Sequence, residues 1–127
     1  MPRVVHFEIP ADDPGRAKSF YSEAFGWDIA SWEGSDYMMV ATGPTNEQGL
    51  PAEPNGINGG MLPRQTPINT PVITIDVPDM DAALRKVEDL GGKVIRGKQP
   101  VAEMGFAAYF VDTEGNTMGL WQNAPQG

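Results

Sequence analysis

Two stretches of the chain carry the same pattern of apolar and polar positions. Val5-His6-Phe7-Glu8-Ile9-Pro10 alternates like a strand, and so does Ile73-Thr74-Ile75-Asp76-Val77-Pro78. After each comes an acidic start and a segment with helical period. In the first copy Asp13 is a good N-cap and Pro14 stands at N1, where its missing N–H costs nothing. Ala17, Phe20, Tyr21, Ala24 and Phe25 then share one helix face. In the second copy Asp79 or Asp81 caps, and Met80, Ala83, Leu84, Val87 and Leu90 make the stripe. The helices end at Gly26 and at Gly91-Gly92.

Further strands are predicted near 27–33, 36–42 and 57–62, and near 93–101, 105–112 and 116–122. Asp112-Thr113-Glu114-Gly115-Asn116 is the turn between the last two. Residues 43–56, with three Pro and three Gly, form a long loop, and 63–71 connects the halves. Each half is therefore β-α-β-β-β, one module over about 1–64 and one over about 70–127. Eight strands and two helices make an α+β fold with helices on one face of a largely antiparallel sheet.

Composition narrows the function. The 127 residues carry a net charge of −8, with 17 acids against nine scattered bases, which argues against nucleic acid as a partner. No apolar run approaches the roughly 20 residues that span a bilayer, so no membrane role is expected. The N-terminus lacks the apolar core of a signal peptide, and there is no cysteine. A cytoplasmic protein with neither disulfides nor thiolate sites is expected. Phosphate-loop and nucleophile-elbow motifs are missing, and Ser19, Ser22 and Ser35 have no triad context.

The combination of words resembles the vicinal oxygen chelate superfamily, which includes glyoxalases, bleomycin-resistance proteins and extradiol dioxygenases. The words are His6-Phe7-Glu8-Ile9-Pro10, Ala17 through Trp27, and Tyr109 through Trp121, whose Asp112-Thr113-Glu114-Gly115-Asn116 is similar to the family's D-P-x-G-N hairpin. The likeness covers nearly the whole chain. It implies two βαβββ modules forming an incomplete eight-stranded barrel around a cavity, with the helices outside.

Metal-dependent members draw ligands from the first and last strands of each module. Carried over, those positions are His6, Thr74, Gly60 and Gly119, and only His6 has a ligating side chain. A catalytic divalent site needs about three protein ligands. Glu8 and Asp76 stand two residues further on, roughly 7 Å along a strand. The expectation is a member with its metal site largely erased: no metal, no cofactor.

Strand parity turns Val5, Phe7 and Ile9 toward the first helix and Ile73, Ile75 and Val77 toward the second. His6, Glu8, Thr74 and Asp76 then face the cavity. The expected ligand-binding residues are His6, Glu8, Gly60, Thr74, Asp76, Tyr109, Gly119 and Trp121, and His6 with Glu8 are the candidates for acid–base work. Trp32, Tyr37, Met38 or Met39 and Phe106 are further wall candidates. The glycines either open the cavity or relieve crowding by neighbouring bulk. Segments 43–56 and 102–105 are candidate lids.

Three readings follow. The leading one is a homodimer that binds a small molecule without a metal, as the resemblance to bleomycin-resistance proteins implies. The second is a lyase, isomerase or dioxygenase-type enzyme using His6, with Glu8 or a non-standard metal site. The third is an interaction protein with a vestigial pocket.

Overall fold

A computed structural model describes residues 1–32 and 35–125. Its elements follow the β-α-β-β-β order twice: β1 (Arg3–Ala11), α1 (Pro14–Phe25), β2 (Asp28–Ser31), β3 (Met38–Ala41), β4 (Asn58–Pro63), then β5 (Val72–Asp76), α2 (Met80–Asp89), β6 (Lys93–Val101), β7 (Gly105–Val111) and β8 (Thr117–Asn123). The fold is α+β, built of two such modules. The strand expected to run to residue 33 ends at Ser31, and residue 33 itself lies outside the described residues. Two compact units result: residues 6–71, and residues 72–127 together with the first five. The opening of β1 thus groups with the second unit, where the repeat alone assigns it to the first.

In the first unit the strand order is β2-β3-β4-β1. β1 runs parallel to β4, and the other neighbours are antiparallel. Asp13 caps α1 by accepting the Arg16 N–H at 3.1 Å, Pro14 stands in the first turn, and Gly26 ends the helix in the left-handed region at φ 73°. Ala11, Ile29, Met38, Val40 and Met61 form the core, with Phe7, Ile9, Ala17, Tyr21 and Trp27 packed against it. The helical stripe is narrower than its period suggests. Tyr21 stacks on Trp27 at 5.2 Å and fills the space beneath the helix. Phe20 and Phe25 consequently stay 59% and 63% exposed.

The second unit has the order β5-β8-β7-β6, again with one parallel pair, β5 with β8. Asp79, rather than Asp81, caps α2 by accepting the Ala82 N–H at 3.1 Å. Asp81 instead pairs with Lys98. Val77, Met80, Ala108, Phe110 and Leu120 form the core, under Ala83, Leu84 and Val87 of α2. Val5, Ile73 and Leu90, expected against the helices, are exposed. Leu90 follows the last helical residue as its C-cap, which carries it off the stripe.

Candidate functional site

Each module has one sheet face under its helix and one turned away from it, and the sequence-predicted polar residues lie on the second kind of face. In the first module, register places Glu8 opposite Gly60 and Gly60 opposite Met39. Met38 is in the core, so Met39 is the one of the pair on the face with Gly60. His6 stands opposite Asn58, two residues before Glu8.

The His6 imidazole shares a hydrogen bond with Tyr37: Nε2 and the phenol Oη are 2.8 Å apart. The same phenol fills the space above Gly60. A Cβ at position 60 would stand 1.8 Å from Oη, far closer than carbon and oxygen can approach without a bond. The Gly60 gap is therefore already taken, by the tyrosine just before β3. Crowding does explain this glycine, and the bulk is the Tyr37 ring. Gly59 is hemmed in from the other face by the Phe7 ring, 2.5 Å from where its Cβ would be.

Burial lowers the His6 pKa below the ordinary 6.5, and the nearby Glu8 carboxylate pulls weakly the other way. The imidazole is thus neutral at physiological pH and can accept a proton. Glu8 itself is buried.

In the second module one row crosses four strands: Arg96 opposite Tyr109, Tyr109 opposite Gly119, Gly119 opposite Thr74. The neighbouring row holds Gln99, Ala107, Trp121 and Asp76. The Arg96 guanidinium lies over the Tyr109 ring, 5.7 Å from its centre. The Trp121 indole N–H donates to Asn123 Oδ1 at 2.9 Å. The Gly119 Cβ position is tight, 2.9 Å from Thr74 Oγ1.

These ladders correct one equivalence. The matching Pro10 and Pro78 invite an alignment of His6 with Thr74. Register instead pairs Glu8 with Gly60 as it pairs Thr74 with Gly119. The N-caps agree, since Asp13 follows Glu8, and Asp79 follows Thr74, by the same five residues. Glu8 is the counterpart of Thr74, and the counterpart of His6 is the buried Val72. The prolines mislead because β1 continues through Pro10 to Ala11, whereas β5 stops at Asp76, before Pro78.

A three-ligand divalent site does not fit these residues. Among the described residues no three His, Asp or Glu side chains gather closely enough to hold an ion. Residue 60 has no donor, and the space in front of it holds a phenol.

Tyr37 is the residue whose role the sequence hid. It was legible only as one of several aromatics. Its place two residues before Met39, on the same side of the chain, is the signal that points it at Gly60. In the 43–56 loop, Asn46 Oδ1 accepts the Gln48 and Leu50 N–H groups, and Asn58 Oδ1 holds the Thr42 N–H. The loop bounds a small pocket of about 70 Å³ with Thr42 and Asn58.

Residues 3–43 match the family model described as bleomycin resistance protein-like N-terminal. The putative glyoxylases CFP32 of Mycobacterium bovis and Mycobacterium tuberculosis are 29% identical over 119 residues, 91% of this chain. The chain spans 43% of the length of these relatives. Among solved structures, a Streptomyces coelicolor methylmalonyl-CoA epimerase variant in complex with 2-nitronate-propionyl-CoA superposes with a TM-score of 0.68 at 16% identity, over 97% of this chain and 98% of that one. The hypothetical protein BH1468 of Bacillus halodurans gives 0.66 at 14% identity, over 99% and 97%. At these identities the structural likeness is one of fold.

Proposed function

We propose that the chain is a vicinal oxygen chelate protein, a reading supported by the bleomycin-resistance-like match over residues 3–43 and the glyoxylase likeness, and that it binds a small organic molecule without a metal ion, on the first-module face that carries His6, Tyr37 and Glu8. The observation that carries this reading is the Tyr37 phenol, which both hydrogen-bonds His6 and occupies the space in front of Gly60. An imidazole so engaged is oriented toward a ligand as a hydrogen-bonding group rather than as a lone metal donor. Glu8 adds an acceptor, and Met39, 40% exposed, an adaptable apolar surface.

The reading includes a homodimer and a cytoplasmic setting. The exposed Phe20 and Phe25 side chains on α1 favour self-association, and a cysteine-free chain suits a reducing compartment. Thermal-shift screening against cationic, aromatic-bearing natural products and metabolites tests the binding. A stabilising ligand whose effect is lost in Tyr37→Phe and His6→Asn supports it; a screen without any stabilising compound contradicts it.

A second reading is favoured by one observation, the lowered pKa of His6. A neutral imidazole beside a carboxylate can take a proton from a bound carbon or oxygen acid, which is lyase or isomerase chemistry. The putative glyoxylases and the epimerase are relatives or neighbours named for such reactions. Turnover of a bound ligand that disappears in His6→Asn, with binding retained, selects this reading over simple sequestration.

A further inference from the structure

We infer that the second-module row Arg96–Tyr109–Gly119–Thr74 is an oxyanion seat, and that the small molecule carries a carboxylate or phosphate group. The inference rests on the ligand-binding reading above and adds the charge class of the ligand.

The row is assembled by pairing alone. Cross-strand neighbours stand about 5 Å apart on one face, so the four residues make one continuous strip. Arg96 is set into it by two register shifts in β6, one between Val94 and Arg96 and one between Arg96 and Gln99. Bulges of this kind re-aim a side chain and gather beside binding sites. Here they bring the guanidinium over the Tyr109 ring.

Arg96 and Lys98 show what is unusual about this cation. Lys98 lies over Phe106, a residue of the helix-side core, and pairs with Asp81 of α2 at 3.3 Å. Arg96, half-buried on the other face, takes part in neither of the two ion pairs found among the described residues, Arg64–Asp12 and Lys98–Asp81. A ring face holds a guanidinium in place but does not neutralise it. The planar fork remains, with donors matched to the two oxygens of a carboxylate or phosphate.

The other side of the seat is the Thr74 hydroxyl. It leans over Gly119, 2.9 Å from where that residue's Cβ would be, and Thr74 is buried. Gly119 puts no side chain between this hydroxyl and the guanidinium stacked on the next strand. Asp76 is the opposing charge on this face. It stands one row along and three strands from Arg96. That is roughly 15 Å by strand spacing, beyond the screening length at physiological salt. An anion is therefore held at the Arg96 end of the row.

Three probes sharing one ring separate the outcomes: phenylacetate, phenyl phosphate and the neutral phenylacetamide. Titrations are followed by ¹⁵N NMR at Arg96 Nε, the Trp121 indole and the single histidine, His6. At least one anion is expected to saturate the Arg96 and Trp121 signals, at least ~tenfold tighter than the amide, a difference of about 1.4 kcal/mol. Arg96→Gln removes that preference, and Arg96→Lys, which keeps the charge without the fork, retains part of it. Tighter phenylacetate assigns a carboxylate; tighter phenyl phosphate assigns a phosphate. The inference is overturned if the amide binds as well as both anions, if both variants keep the full preference, or if neither anion moves the Arg96 signal. Should His6 respond to screening ligands while Arg96 responds to no anion, only this inference falls. A His6 that responds to no ligand sinks the binding reading itself.

Discussion

The two modules place the same kind of glycine at the same point of the same ladder and surround it differently. Gly60 faces Glu8 on one side and Met39 on the other; Gly119 faces Thr74 and Tyr109. Where the first module has a carboxylate the second has a hydroxyl, and the second alone ends its row in a cation, Arg96. The gap at Gly60 is filled by the Tyr37 phenol, whereas at Gly119 only a threonine hydroxyl encroaches. Duplicated topology fixes where side chains point. Single substitutions on that frame then decide whether a position is filled, open or charged.

The largest expected effect tests whether the modules are equally well built. Met61 and Met80 are both fully buried, one in each core. Truncation of either to Ala should cost about 2–5 kcal/mol in urea unfolding. A loss confined to one variant would show that only that module carries the stability.

The glycines give a smaller and more specific contrast. Gly60→Ala forces the Tyr37 ring aside and breaks its bond to His6, with an expected loss of about 1–3 kcal/mol. In a Tyr37→Ala background the same substitution should cost far less, a coupling readable as a double-mutant cycle. Gly119→Ala crowds the Thr74 hydroxyl and touches Val72 at ordinary contact distance, and should cost about 1 kcal/mol or less. Equal losses at the two glycines would remove the asymmetry.

The smallest effect is in pH. Because burial lowers the His6 pKa in the fold, the unfolded chain binds the proton more readily. The stability from this group is fully present above the ordinary value of 6.5 and is lost as pH falls from there through the lowered folded value. Wild type should weaken between pH 7.5 and 5.5 more than His6→Asn does. Identical pH dependence of urea midpoints in the two proteins would contradict the buried imidazole.

Much of the frame was legible before any coordinates. Alternation in 5–10 and 73–78, the Asp-Pro start of α1 and the glycine after it mark element type because each reflects a local backbone rule. Four things were not legible. The width of the α1 stripe depends on the Tyr21–Trp27 stack, a contact made outside the helix. The equivalence of Glu8 with Thr74 depends on strand ends, because a proline inside β1 and one beyond β5 look alike in sequence. The His6–Tyr37 bond joins residues 31 apart and has no local signature. Arg96 was hidden for a related reason: the two bulges in β6 break the alternation that parity relies on.

The most direct test of the central claim is a zinc titration of metal-free protein at pH 7.5, followed by the ¹⁵N ring signals of His6. With Tyr37 as the imidazole's partner, the signals should stay in place through one equivalent of Zn²⁺. A stoichiometric shift with slow release of the ion would contradict the account and show that His6 serves a metal site.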